Sequence, residues 1–115
     1  MIESPETFLD RLGGLHDARV LALDFNVTER RLSVAIDDLN SNFDGLQDYA
    51  GKLPALLNFH GVDEIESSLQ VGSKELNVFE CQMVPSSSTL RIEFKFSPGG
   101  RLQIRFASMT CDTSA

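Results

Sequence analysis

Apolar positions divide the chain into one short helical stretch followed by a succession of alternating ones. "SPETFLDRLGG" has the grammar of a helix. Ser4 can cap it, Pro5 suits its first position, and Phe8, Leu9 and Leu12 form an apolar stripe. Gly13 and Gly14 end it. A helix this short is unstable alone, so it must lie on an apolar surface. The period then changes to two. "RVLALDFNV" sets Leu21, Leu23, Phe25 and Val27 on one face, and "RLSVAIDDL" does so with Leu32, Val34 and Ile36. A loop "TERR" with Val27 opposite Leu32 brings the two apolar rows together. The alternation lapses over residues 40–52 and resumes in "LPALLNFHGVDEI" and "SSLQVG". In "KELNVFECQMV" it predicts Phe79, Cys81 and Met83 as the inner set.

The last hairpin is the sharpest pattern. Leu90, Ile92, Phe94 and Phe96 alternate with polar residues, and so do Leu102, Ile104 and Phe106. A Pro98-Gly99-Gly100 loop would set Phe96 against Leu102, Phe94 against Ile104 and Glu93 against Arg105. The predicted fold class is α+β and mostly antiparallel β, with a short N-terminal helix and about six or seven strands. Either a helix covers one face of a sheet, or it closes the end of a small sandwich or half-barrel.

Length and charge narrow the function classes. At 115 residues the chain is expected to form a single domain, 1–115, large enough to fold without disulfides or metal. Its net charge of −7 argues against nucleic acid or an anionic membrane as a partner and fits a basic one. Cys81 and Cys111 have no ligand-like or disulfide-like spacing. Cys81 lies in an apolar strand pattern, whereas Cys111 falls in a C-terminal tail expected to fray. "MIESPETFLDRL" lacks the apolar core of a signal peptide, and no stretch is long enough to span a membrane. The expected location is cytoplasmic.

Few residues have the pattern of chemistry. Adjacent His and Asp serve as metal ligands in helical phosphohydrolases, but His16-Asp17 precedes a strand and the other histidine is the distant His60. A polar site of His16, Asp17 and His60, serving a small ligand or a metal-dependent reaction, requires these three to converge. The alternative is that His16-Asp17 builds the corner between helix and strand, with hydrogen bonds to turn backbone. Asn40, Asn42, Asp44 and Gly45 match half of a calcium loop, but Gly51 stands where its final glutamate belongs. No nucleotide-binding, hydrolase or zinc signature is present, so no cofactor or metal is expected.

Acidic residues gather in two segments. Asp37, Asp38, Asp44 and Asp48 surround Phe43 and Tyr49, while Asp63 and Glu64 follow "FHGV". If these segments share one end of the sheet, they form an acidic lip with aromatic anchors for a protein partner.

Leu15-His16-Asp17-Ala18 running into an alternating strand, then a second strand and "FHGVDEI", resembles the opening of small bacterial domains of unknown function. Among these are immunity-type proteins of polymorphic toxin systems. The resemblance covers about the first 65 residues. A tryptophan expected near such openings is missing. It implies a non-enzymatic inhibitor of a toxin domain, with His16 and Asp17 in structural roles. The expected activity is therefore protein binding, to a basic toxin domain, through Asp37, Asp38, Phe43, Asp44, Asp48, Tyr49, Asp63 and Glu64. A homodimer joined through an edge strand is a further reading.

Overall fold

The computed structural model describes residues 2–47, 49, 51–69, 75–85 and 89–113. The predicted helix forms as α1 (Pro5–Arg11), where the Ser4 hydroxyl accepts from the Thr7 amide at 3.3 Å. Its buried Leu9 seals one end of the core beside Leu15, which closes a 3-10 turn over Gly13–Leu15. Leu15 and Asp17 both adopt left-handed backbone, as do Gly13 and Gly14, so the chain reverses sharply before the first strand.

Eight antiparallel strands form among the described residues, in two four-stranded sheets. The first sheet runs β1 (Val20–Asn26), β2 (Arg31–Ile36), β3 (Ala55–His60) and β8 (Ser108–Thr113). The second runs β4 (Glu64–Leu69), β7 (Gly100–Phe106), β6 (Leu90–Ser97) and β5 (Asn77–Met83). They enclose Val34, Ile36, Leu57, Phe59 and Met109 from one side and Val78, Ile92, Phe94, Leu102, Ile104 and Phe106 from the other. Phe59 ties the layers together, meeting Phe106 at 5.0 Å and Phe94 at 6.2 Å, both edge to face.

Two seams bend this sandwich toward a barrel. At one, β3–β4 and β7–β8 pass side by side from sheet to sheet, and the Ala107 amide donates to the His60 carbonyl at 2.9 Å. Gly61 (φ +65°) turns this corner, and a Cβ there would stand 2.7 Å from that of Ala107. At the other seam, residues 17–20 pair with Leu76, Asn77 and Val78 at the start of β5. The Asp17 amide donates to Val78 O, Val78 N to Ala18 O, and Val20 N to Leu76 O. A bulge at Leu21 interrupts the β1–β2 ladder between the Val20–Ile36 and Ala22–Ala35 pairs.

The structure corrects several local expectations. The tail expected to fray is β8, an eighth strand held along β3 by Asn58–Thr110 and Phe59–Met109 pairing. Phe25, not Val27, opposes Leu32, and Val27 lies in the turn. In the last hairpin Phe94 opposes Leu102 and Ile92 opposes Ile104, so Glu93 faces Gln103. Both hairpin registers differ from expectation by two residues, a shift that by itself changes no side chain's face. The expected inner row of β1 is nevertheless broken by the bulge at Leu21, and Leu21, Phe25 and Val27 are exposed. A bulge between Val78 and Glu80 buries Val78 and turns Phe79 outward, so the inner row is Val78, Cys81 and Met83. The hairpin of β6 and β7 occupies the centre of the second sheet.

Candidate functional site

The two acidic segments do not share an end of the sheet. Asp37 and Asp38 follow β2, whose last residue Ile36 pairs with Ala55 at the start of β3. Asp63 and Glu64 lie beyond His60, at the far end of β3. The intervening length is roughly 17 Å, at about 3.4 Å per residue. The expected acidic lip is therefore split.

Its members are also largely committed to structure. Asp38 is buried; its Oδ1 accepts from the amides of Asn40 (2.9 Å) and Leu53 (3.1 Å), and its Oδ2 from the Tyr49 hydroxyl (2.5 Å). The carboxylate therefore ties the two ends of the segment between β2 and β3 together. The same bond holds the Tyr49 phenol protonated, pushing its pKa from 10.0 up to about 12. Asp37 accepts from the Arg19 amide at 2.8 Å and lies 3.7 Å from Lys52 Nζ. Phe43 is half-buried in a 3-10 turn, Ser41–Phe43. Asp44 is exposed. Asp48 lies outside the described residues.

At the other end, Arg105 Nε donates to Asp63 at 2.7 Å and holds its carboxyl below the usual range. Arg91 donates to Glu64 at 3.0 Å and to the Gln103 side chain at 2.9 Å. Lys95 and Arg101 approach Glu93 at 4.0 and 3.8 Å. The outer face of the second sheet is thus a charge-compensated lattice.

His16, Asp17 and His60 do not converge. His16 Nδ1 lies 2.7 Å from the Phe79 carbonyl of β5, with its ring edge to face against Phe79 at 5.9 Å. Asp17 is exposed, 3.5 Å from His16 Nε2. This pair makes the corner that delivers the chain into β1. His60 belongs to the first sheet instead, with Nε2 3.0 Å from the Thr110 hydroxyl. Among the described residues no three His, Cys, Asp or Glu side chains are grouped to hold a metal.

His60 does belong to a different constellation, on the outer face of the first sheet. Pairing aligns Asp24, Ser33, Asn58 and Thr110 across all four strands. Beside them run Asn26, Arg31, His60 and Ser108 on one side, and Ala22, Ala35, Leu56 and Asp112 on the other. A shallow cleft of about 450 Å³ opens over this grid. Its centre is cross-linked: Ser33 Oγ donates to Asn58 Oδ1 at 2.6 Å, and Asn58 Nδ2 donates to Asp112 Oδ2 at 3.0 Å. Ser33 and Asn58 are only 8% and 6% exposed although they point away from the core. Arg31 is oriented by Glu29, while Asp24 has no ion-pair partner among the described residues. Sequence reasoning passed over Ser33, Asn58, Thr110 and Asp112. The available signal was polar Asn58 set between Leu57 and Phe59 in an otherwise apolar strand.

No family model and no curated protein matches the chain.

Proposed function

We propose that the chain is a non-enzymatic protein-binding domain that receives a basic partner on the outer face of its first sheet. The observation that carries this reading is the prearranged Ser33–Asn58–Asp112 network in the floor of an open cleft. Such cross-strand hydrogen bonds stabilise the sheet in their own right. On a binding face they also supply order that need not be created during association. Asp24 on β1 and Asp112 on β8 supply carboxylates at both margins, and the net charge of −7 steers a cationic partner toward the chain. An immunity-type inhibitor of a basic toxin domain fits this chemistry. His16 and Asp17 then act through the fold alone.

The test is co-expression with each protein encoded beside this chain's gene, reading growth. A toxic neighbour is expected to be neutralised. The Asp24→Asn/Asp112→Asn double variant, shown folded by circular dichroism, should associate about tenfold more slowly and with a flatter salt dependence. Equal association rates in wild type and variant would remove this face from the reading. Failure to neutralise any toxic neighbour would remove the inhibitor role.

A further inference from the structure

The outer face of the first sheet changes character from row to row. Ala22 pairs with Ala35, Ala35 with Leu56 and Leu56 with Asp112, so an apolar row crosses β1, β2 and β3 and ends on a carboxylate of β8. All of these residues line the cleft of about 450 Å³. Leu56 is 37% exposed there, beside the wholly polar row of Asp24, Ser33, Asn58 and Thr110. The carboxylate at the end of the apolar row is held in place. Asn58 Nδ2 donates to Asp112 Oδ2 at 3.0 Å, and Asn58 is itself fixed by Ser33 at 2.6 Å. Among the described residues no Lys or Arg side chain pairs with Asp112. Arg31, the cationic residue that lines the cleft, stands two strands and four residues away, roughly 17 Å, and is engaged by Glu29.

We propose that this row receives a lysine side chain of the protein partner, with its stem along Ala35 and Leu56 and its ammonium on Asp112 Oδ1. The assignment rests on the protein-binding reading of this face and names the group that the partner presents. Lysine and arginine both lay an apolar stem on a surface and keep the charged head at its margin. Arginine's advantage at a carboxylate is a fork that engages both oxygens. Here Asn58 already donates to Oδ2, so the second arm of a fork competes with it. An ammonium is a compact point charge and needs only Oδ1. Asp24, the other carboxylate lining the cleft, has no hydrogen bond to fix its side chain among the described residues. Asp112 is the one set in place before a partner arrives, which lowers the ordering cost of association.

Titration of the isotope-labelled protein with a capped Gly-Gly-Lys-Gly-Gly peptide, followed by NMR at low ionic strength, tests this directly. The Leu56 methyls and the Asn58 side-chain amide should shift together and saturate. Replacing the lysine by arginine should not tighten binding. Replacing it by the shorter-stemmed diaminobutyrate should weaken binding about threefold. Asp112→Asn should weaken it about fivefold. Leu56→Ser, which keeps the charge, should weaken it about threefold, with the circular dichroism spectrum of both variants intact. Shifts that gather elsewhere while Leu56 and Asn58 stay unmoved overturn the site, as does equal binding of the lysine and diaminobutyrate peptides. Tighter binding of the arginine peptide overturns the choice of lysine. Neutralisation of a toxic neighbour that neither variant weakens would remove the lysine site and leave the inhibitor role intact. The expected peptide shifts in a chain that neutralises no toxic neighbour would do the reverse.

Discussion

The hydroxyl of Tyr49 donates to Asp38 Oδ2 at 2.5 Å, while Asp38 Oδ1 takes the amides of Asn40 and Leu53. One buried carboxylate thereby organises the longest irregular segment of the chain. Asp38→Ala should destabilise the fold by about 2–3 kcal/mol, because it leaves two amides and a phenol without their charged acceptor. Tyr49→Phe, which removes one of these bonds, should cost about 1 kcal/mol. Urea unfolding followed by circular dichroism measures both. Equal effects would show that Asp38 acts mainly through Tyr49 and not through the two amides.

The same contact gives a pH signature. The folded-state pKa of Tyr49 lies near 12, above its ordinary value of 10.0. A raised pKa means that the stabilisation is fully present below pH 10 and is lost as pH rises through about 12. Tyr49 is the one tyrosine of the chain, so phenolate absorbance reports it alone. Its midpoint should fall toward 10.0 in Asp38→Asn. An unmoved midpoint would mean that the Asp38 charge and bond do not hold the proton.

Asp63 and Arg105 provide the acid-side counterpart. Arg105 donates to Asp63 at 2.7 Å and lowers its pKa. The stabilisation from this pair is present above the ordinary aspartate range and is lost as pH falls through the lowered value. In Arg105→Gln the Asp63 carboxyl should titrate at a higher pH, as followed by its carboxyl carbon in NMR.

Gly61 and Ala107 should be coupled. Gly61→Ala meets both a left-handed φ of +65° and the Ala107 methyl 2.7 Å away. A loss of about 1–3 kcal/mol is expected, read as a lower melting temperature. Adding Ala107→Gly should return part of that loss, because it removes the clash and leaves the backbone strain. Strict additivity of the two changes would mean that the close approach contributes nothing.

Much of this fold is legible in the residues themselves. Ser4, Pro5 and the two glycines define α1 and its end through local capping and backbone preference. Alternation of period two marks the strands and assigns the inner rows of β2, β6 and β7, because burial of one face selects a pattern that needs no knowledge of the partner strand. Cys81 was likewise recognisable as a small buried hydrophobe, and burial pushes its thiol pKa upward.

What lay beyond the sequence is whatever depends on which strand adjoins which. A two-residue register shift costs nothing in hydrophobic pattern, so the pairing of Phe94 with Leu102 could not be read from it. Bulges at Leu21 and near Phe79 change a side chain's face without an unambiguous local signature. The polar face is the clearest case. Ser33, Asn58 and Asp112 are 25 and 54 residues apart, and separately each looks like an ordinary polar residue of a strand. The sequence determined that strands would form and which residues β2, β6 and β7 would bury. The tertiary structure alone decided that β2, β3 and β8 are neighbours, since only packing between distant segments could bring those hydrogen-bonding groups together.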